Sequence, residues 1–245
     1  MLRAVIFDLG GTLMSFGDPA LTFRELTWIG LRGLYDYLQE RTDSSLPNWQ
    51  ECLIHLDAEL ERAWQRSLAT LQSARIEDIL QAAFSRWQFD LLRLGMEGAL
   101  DRFHAAMQPY ISLYDDTLVT LEEFTRRKLK IGLISNTIWP PQMHDLDLQR
   151  LGIIGFFAHR LYSSASAYVK PHPAIFKQSL AALQVAPEEA IYVGDRLWDD
   201  VGGAQAAGLK GILKEVPQRA ENNETIVPDA RVRSLRELWD VIDSP

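Results

Sequence analysis

"RAVIFDLGGTL", Arg3 to Leu13, is the stretch whose reading decides the fold. Residues 3 to 7 are almost continuously apolar and only strand-length, which suits a strand covered on both faces. The run ends on a carboxylate, Asp8, and continues through Leu9, the glycine pair Gly10-Gly11 and Thr12. Strands buried on both faces belong to parallel sheets, and ligands of open parallel sheets sit beyond the carboxyl ends of the strands. Asp8 therefore stands where chemistry would be expected.

The character of the chain changes from about residue 20 to residue 110. Trp49, Cys52, Leu53, Leu56, Leu60, Ala63, Trp64 and Leu68 recur at three- and four-residue steps, one apolar stripe on a helix. Ile76, Ile79, Leu80, Ala83, Trp87 and Leu91 repeat the pattern, as do Met96, Leu100, Phe103 and Met107, and an earlier helix is expected from Phe23 to Leu38. Breaks fall at Arg41 to Asn48, around Ser73 and at Gly95. This predicts about four helices and no strand.

Strands return after residue 115. Leu129 to Ser135, His159 to Ser164, Ala190 to Gly194 and Gly208 to Lys214 are the candidates, alternating with helices at Thr117 to Arg127, Pro173 to Leu183 and Asp200 to Ala207. The tail offers an edge strand and a closing helix. Alternation at this spacing predicts an α/β fold, a doubly wound parallel sheet with helices on both faces. The first strand belongs with this later half, so residues 1–15 and 115–245 form the expected Rossmann-like core and residues 16–114 an inserted all-helical domain. Hinges are expected near Ser15 to Pro19 and near Tyr110 to Asp116.

The 245 residues carry a formal net charge of −8, which leaves no excess of Lys and Arg to neutralise a nucleic-acid backbone. Cys52 is the one cysteine, so no internal disulfide forms. Met1 to Phe7 is too short to cross a membrane and lacks a cleavage region, and other apolar runs are strand-length. The expectation is a soluble cytoplasmic protein, monomer or homodimer, with no membrane or nucleic-acid partner.

Three predicted strands end in polar residues at one sheet edge: Asp8, then Ser135-Asn136, then Asp195 after Gly194, with Lys170 in a loop before a helix. Each alone is ordinary turn or cap chemistry; the four together, in order, are not. "VIFDLGGTL", "GLISNT", "VKPHPAIF" and "YVGDRLWDDVGGAQAAG" resemble the motifs of the haloacid dehalogenase-like hydrolase superfamily, mostly phosphatases, in the branch with a helical cap after the first motif. The resemblance implies Asp8 as a nucleophile that forms an aspartyl intermediate. It implies Thr12 and Ser135, with backbone N–H groups near Leu9 and Asn136, as holders of the transferring group's oxygens, and Lys170 as the balancing charge. It also implies Mg²⁺ held by Asp8, the Gly10 carbonyl, Asp195 and Asp200, the last preferred over Asp199 by spacing. A small phosphorylated metabolite is the implied substrate. Arg24 and Trp28, with Phe16 and Arg32, are candidates to face it from the helical domain, against the plainer reading of a solvated arginine pair beside a half-buried tryptophan.

One position departs from the family pattern. Phosphatases that this chain resembles carry an acid/base aspartate two residues after the nucleophile, and here that residue is Gly10. Positioned acid–base catalysis is worth ~10²–10⁴-fold. The alternatives are therefore a weakly active binding or regulatory module of the same fold, and a 2-haloacid dehalogenase, whose halide leaves without a proton.

Overall fold

The computed structural model describes residues 1–17, 21–42, 46–216 and 225–243. Pro19 of the first expected hinge and residues 43–45 of the expected break lie outside them. The chain opens with β1 (Ala4–Phe7) and β2 (Met14–Phe16), then runs through helices α1 (Phe23–Gln39), α2 (Trp49–Thr70), α3 (Ile76–Ser85), α4 (Leu91–Leu94) and α5 (Met96–Met107). It continues as β3 (Ile111–Leu113), α6 (Thr117–Arg126), β4 (Lys130–Ser135), α7 (Pro141–Arg150), β5 (His159–Tyr162), α8 (Pro173–Leu183) and β6 (Ala190–Gly194). A π-helical turn (Leu197–Gly202) leads into α9 (Gly203–Ala206), β7 (Lys210–Lys214), β8 (Ala230–Val232) and α10 (Leu238–Asp243).

Six strands form one parallel sheet in the order β5-β4-β1-β6-β7-β8, with β1 at its centre. The expected strands are all present, as are the edge strand and closing helix of the tail. Alternation along β1 splits its side chains between two layers. Val5 and Phe7 enter the larger core, where Phe7 stacks on Phe124 of α6 with centroids 6.1 Å apart. Ala4 and Ile6 face the other way, onto Ile175, Phe176 and Leu180 of α8. Each fully buried side chain of this size is worth ~1.5–3 kcal/mol, so β1 anchors both layers at once.

Three features differ from expectation. The two hinge regions pair with each other: β2 and β3 form an antiparallel ribbon in the register Met14↔Leu113, Ser15↔Ser112 and Phe16↔Ile111. Three residues are too few to show a period of two. Helix α7 was not expected, because its buried face mixes His144 and Asp147 with Met143 and Leu148 and the stripe loses its contrast. The third expected helix stops at Ser85, since Gln88 takes a left-handed φ of 61° and turns the chain; Asp90 then caps α4 by accepting from the Leu92 N–H.

The helical block packs down on the sheet half. Phe103 stacks on Trp139 at 3.9 Å, and the Ile76 N–H donates to the Ile138 carbonyl at 2.9 Å. Residues 71–73 lie against 166–169, with Val169 N–H donating to Leu71 O at 3.1 Å and Ser73 N–H to Ala167 O at 3.2 Å. The block thereby touches the loop that carries Lys170. Among the described residues no helix is long and apolar enough to cross a membrane.

Candidate active site

Beyond the carboxyl ends of β1, β4 and β6 the chain turns sharply, and polar groups gather there. After Asp8 the Leu9 carbonyl accepts from the Leu13 and Met14 N–H groups, closing a tight loop. Gly11 needs to be glycine, since its φ is +89°. Gly10 is not in that region; a Cβ built on it would lie 2.7 Å from Cε2 of Phe16. The ring of Phe16 fills the place a side chain at residue 10 would take.

Lys170 holds the centre. Its Nζ donates to Asp8 Oδ1 at 2.6 Å, Asp200 Oδ1 at 2.6 Å and the Tyr192 hydroxyl at 2.8 Å, which commits all three of its N–H bonds. Asn136 fixes the backbone beneath it: its Oδ1 accepts from Lys170 N–H at 2.7 Å and its Nδ2 donates to Lys170 O at 2.9 Å. The Arg196 N–H donates to Asp200 Oδ2 at 3.0 Å. Lys170 is buried, which alone would lower its pKa, but the carboxylates of Asp200 and Asp8 more than reverse this and hold it protonated.

Asp8, Asp195 and Asp200 are all buried, and each presents a carboxylate oxygen within 4.8 Å of the others. Asp199 is not in this cluster; Arg196 Nη1 lies 3.9 Å from it. Burial pushes the Asp8 carboxyl up to about 7; the Lys170 ammonium opposes the rise, and the charges of Asp200 and Asp195 add to it. Three buried carboxylates gather around the Lys170 ammonium, and the positive charges of Arg196 and Lys214 also act on them. An all-oxygen, acidic donor set of this kind suits a hard divalent cation.

Gly194 makes this packing possible, because a Cβ there would sit 2.2 Å from Asp200 Cγ. Gly194→Ala is expected to lower stability by ~1–3 kcal/mol through overpacking. Chemical denaturation checks this, and an unchanged midpoint would mean Asp200 has another place to go.

The other expected residues are placed as follows. Thr12 is fully buried, and among the described residues its hydroxyl has no hydrogen-bond partner. Ser135 is buried at the end of β4. Arg24 and Trp28 are not joined to the cluster: Asp57 of α2 forms an ion pair with Arg24, and Trp28 Nε1 donates to the same carboxylate at 2.8 Å. Arg32 pairs with Asp36. Their donors serve the helical block itself.

Two residues escaped the sequence reading. Tyr192 reads as one more apolar strand residue, yet its hydroxyl contacts Lys170 and lies 3.2 Å from Asp200 Oδ1. Lys214, at the end of β7, is buried; its Nζ donates to Gly11 O at 3.1 Å and lies 3.6 Å from the Tyr114 ring centroid. Burial lowers its pKa, opposed by Asp116 and Asp195. Its position at the ligand edge of a predicted strand was the available signal.

Known proteins resemble this chain in sequence or in fold. Glyceraldehyde 3-phosphate phosphatase of Methanopyrus kandleri is 34% identical over 169 residues, 63% of this chain and 70% of that one. Phosphoserine phosphatase of Thermus thermophilus is 36% identical over 127 residues, so the chain spans only 50% of that relative's length. The crystal structure of a 2-haloacid dehalogenase from Pseudomonas syringae pv. Tomato DC3000 superimposes with a TM-score of 0.73 at 24% identity, covering 99% of this chain and 98% of that one. The family model described as haloacid dehalogenase-like hydrolase matches residues 2–208, and the chain belongs to that family.

Proposed function

We propose that the chain is a metal-dependent phosphatase of a small phosphorylated metabolite, with Asp8 as nucleophile. The observation that carries this reading is the buried cluster of Asp8, Asp195 and Asp200 around Lys170 at the sheet's ligand edge. Two curated relatives named for phosphomonoesters of small metabolites support the substrate class. In this reading Asp8 attacks phosphorus in line, the ester oxygen leaves with its electron pair, and water later releases phosphate from the aspartyl phosphate. Lys170 holds Asp8 in its attacking position and offsets charge on the transferring group. The Thr12 hydroxyl, which has no partner among the described residues, takes phosphoryl oxygens together with Ser135 and the N–H groups near Leu9 and Asn136. Asp8, Asp195, Asp200 and the Gly10 carbonyl hold Mg²⁺, whose chemistry is to neutralise phosphoryl charge and orient the group. Residues 16–114 serve as a cap that excludes water, swinging on the connections at either end.

The test is a panel of phosphate esters with and without Mg²⁺. Phosphate release that needs the metal, and stops with chelator, is the expected result. No release from any ester would turn the reading to a binding module, and halide release from a 2-haloacid would turn it to a dehalogenase.

A further inference from the structure

The surroundings of Asp8 also constrain what leaves. The two lysines near it are engaged: Lys170 spends its three N–H bonds on Asp8, Asp200 and Tyr192, and Lys214 donates to Gly11 O while lying on the Tyr114 ring. Over Gly10, two residues from Asp8, stands the ring of Phe16. That ring meets Phe23 edge to face at 5.7 Å and 81°, and Phe23, at the start of α1, is 55% exposed. Phe16 is itself half-buried, and Gly10 below it is partly open. Among the described residues an aromatic face therefore runs from above Gly10 out to solvent, and neither ring carries an acid.

The geometry points to a substrate class: phosphate monoesters of planar, acidic hydroxyl groups, phenols and enols, with Phe16 and Phe23 as the specificity-determining contacts. This rests on the phosphatase reading above. When Asp8 attacks, the bond between phosphorus and the ester oxygen breaks and the electron pair stays on that oxygen. A phenolate or enolate holds the pair by delocalisation and takes a proton from solvent after leaving; an alkoxide needs a proton during departure, worth ~10²–10⁴-fold. The same delocalised leaving groups are flat and apolar, which is what an exposed aromatic face recognises, at ~0.5–1.5 kcal/mol per ring contact.

The experiment compares kcat/KM for para-nitrophenyl, phenyl and glycerol phosphates in Mg²⁺, for wild type and Phe23→Ala, with unfolding midpoints to confirm that both fold. Wild type is expected to favour the aryl esters over glycerol phosphate by ~10²-fold or more. Phe23→Ala is expected to raise KM for aryl esters ~2- to 12-fold more than for glycerol phosphate, with kcat little changed. Glycerol phosphate hydrolysed as fast as the aryl esters would overturn the inference while leaving the phosphatase reading intact. So would a Phe23→Ala effect equal on all three esters. Absence of phosphate from every ester would remove both.

Discussion

The Asp8→Asn variant is expected to release phosphate at least ~10³-fold more slowly than wild type, because the amide cannot form the aspartyl phosphate. Its shape is nearly unchanged, so the loss isolates chemistry from folding. The charge around residue 8 makes a second outcome available. Burial raises the folded-state pKa of Asp8 to about 7, so in metal-free protein the group favours folding less as pH climbs from its unfolded value toward that figure. Above that pH the wild type carries an ionised, crowded carboxylate and the variant does not. Metal-free Asp8→Asn should then be at least as stable as wild type, and it should gain less from added Mg²⁺. Inactivity together with a large fall in unfolding midpoint would point to a structural defect instead. Retained turnover would remove Asp8 from the reaction.

Lys170→Met is the second large effect. The ammonium lies 2.6 Å from both Asp8 and Asp200 and is buried with them. Removing it leaves two carboxylates without their shared cation, and breaking a buried pair in this way costs ~3–5 kcal/mol. Part of that cost is avoided when Asp8 takes up a proton, which also disables it as a nucleophile at neutral pH. Loss of a positioned charge near the transferring group typically costs ~10²–10³-fold in turnover. The expected pattern is a destabilised protein that Mg²⁺ partly restores, with turnover reduced by that amount even at saturating metal. Full activity at saturating metal would assign Lys170 to stability alone.

Much of this was legible in the order of residues. The continuous apolar run of β1 and the polar ends of three strands placed Asp8, Ser135 and Asp195 on one edge before any contact was known. Lys170 was read with them in a loop at that edge and the resemblance added Asp200, and the structure gathers Asp8, Lys170, Asp195 and Asp200 within one buried cluster. What stayed hidden depended on tertiary neighbours. Tyr192 and Lys214 look like strand filler and a strand-end charge until their polar tips are placed. Asp57 lies in a different helix from Arg24 and Trp28, so no local pattern could show that it occupies both. Gly10 was visible as a missing carboxylate, but the ring that stands over it comes from Phe16, across a turn whose path the spacing does not specify.

The ribbon of β2 and β3 has a further meaning for how such a chain tolerates change. Where residue 16 leaves and residue 111 returns, the two are paired across the ribbon, with Ser15 Oγ 3.1 Å from Ser112 Oγ beside them. Everything between is topologically a single long hairpin loop. A shorter or longer excursion could be spliced there without altering the order or register of any strand in the sheet, since neither end would have to move. The barrier to such grafting is the apolar surface that Phe103 and Ile76 cover on the sheet half, around Trp139 and Ile138. A replacement module must bring its own cover for that patch, and this makes the surface beneath the insertion, rather than the splice point, the inherited constraint.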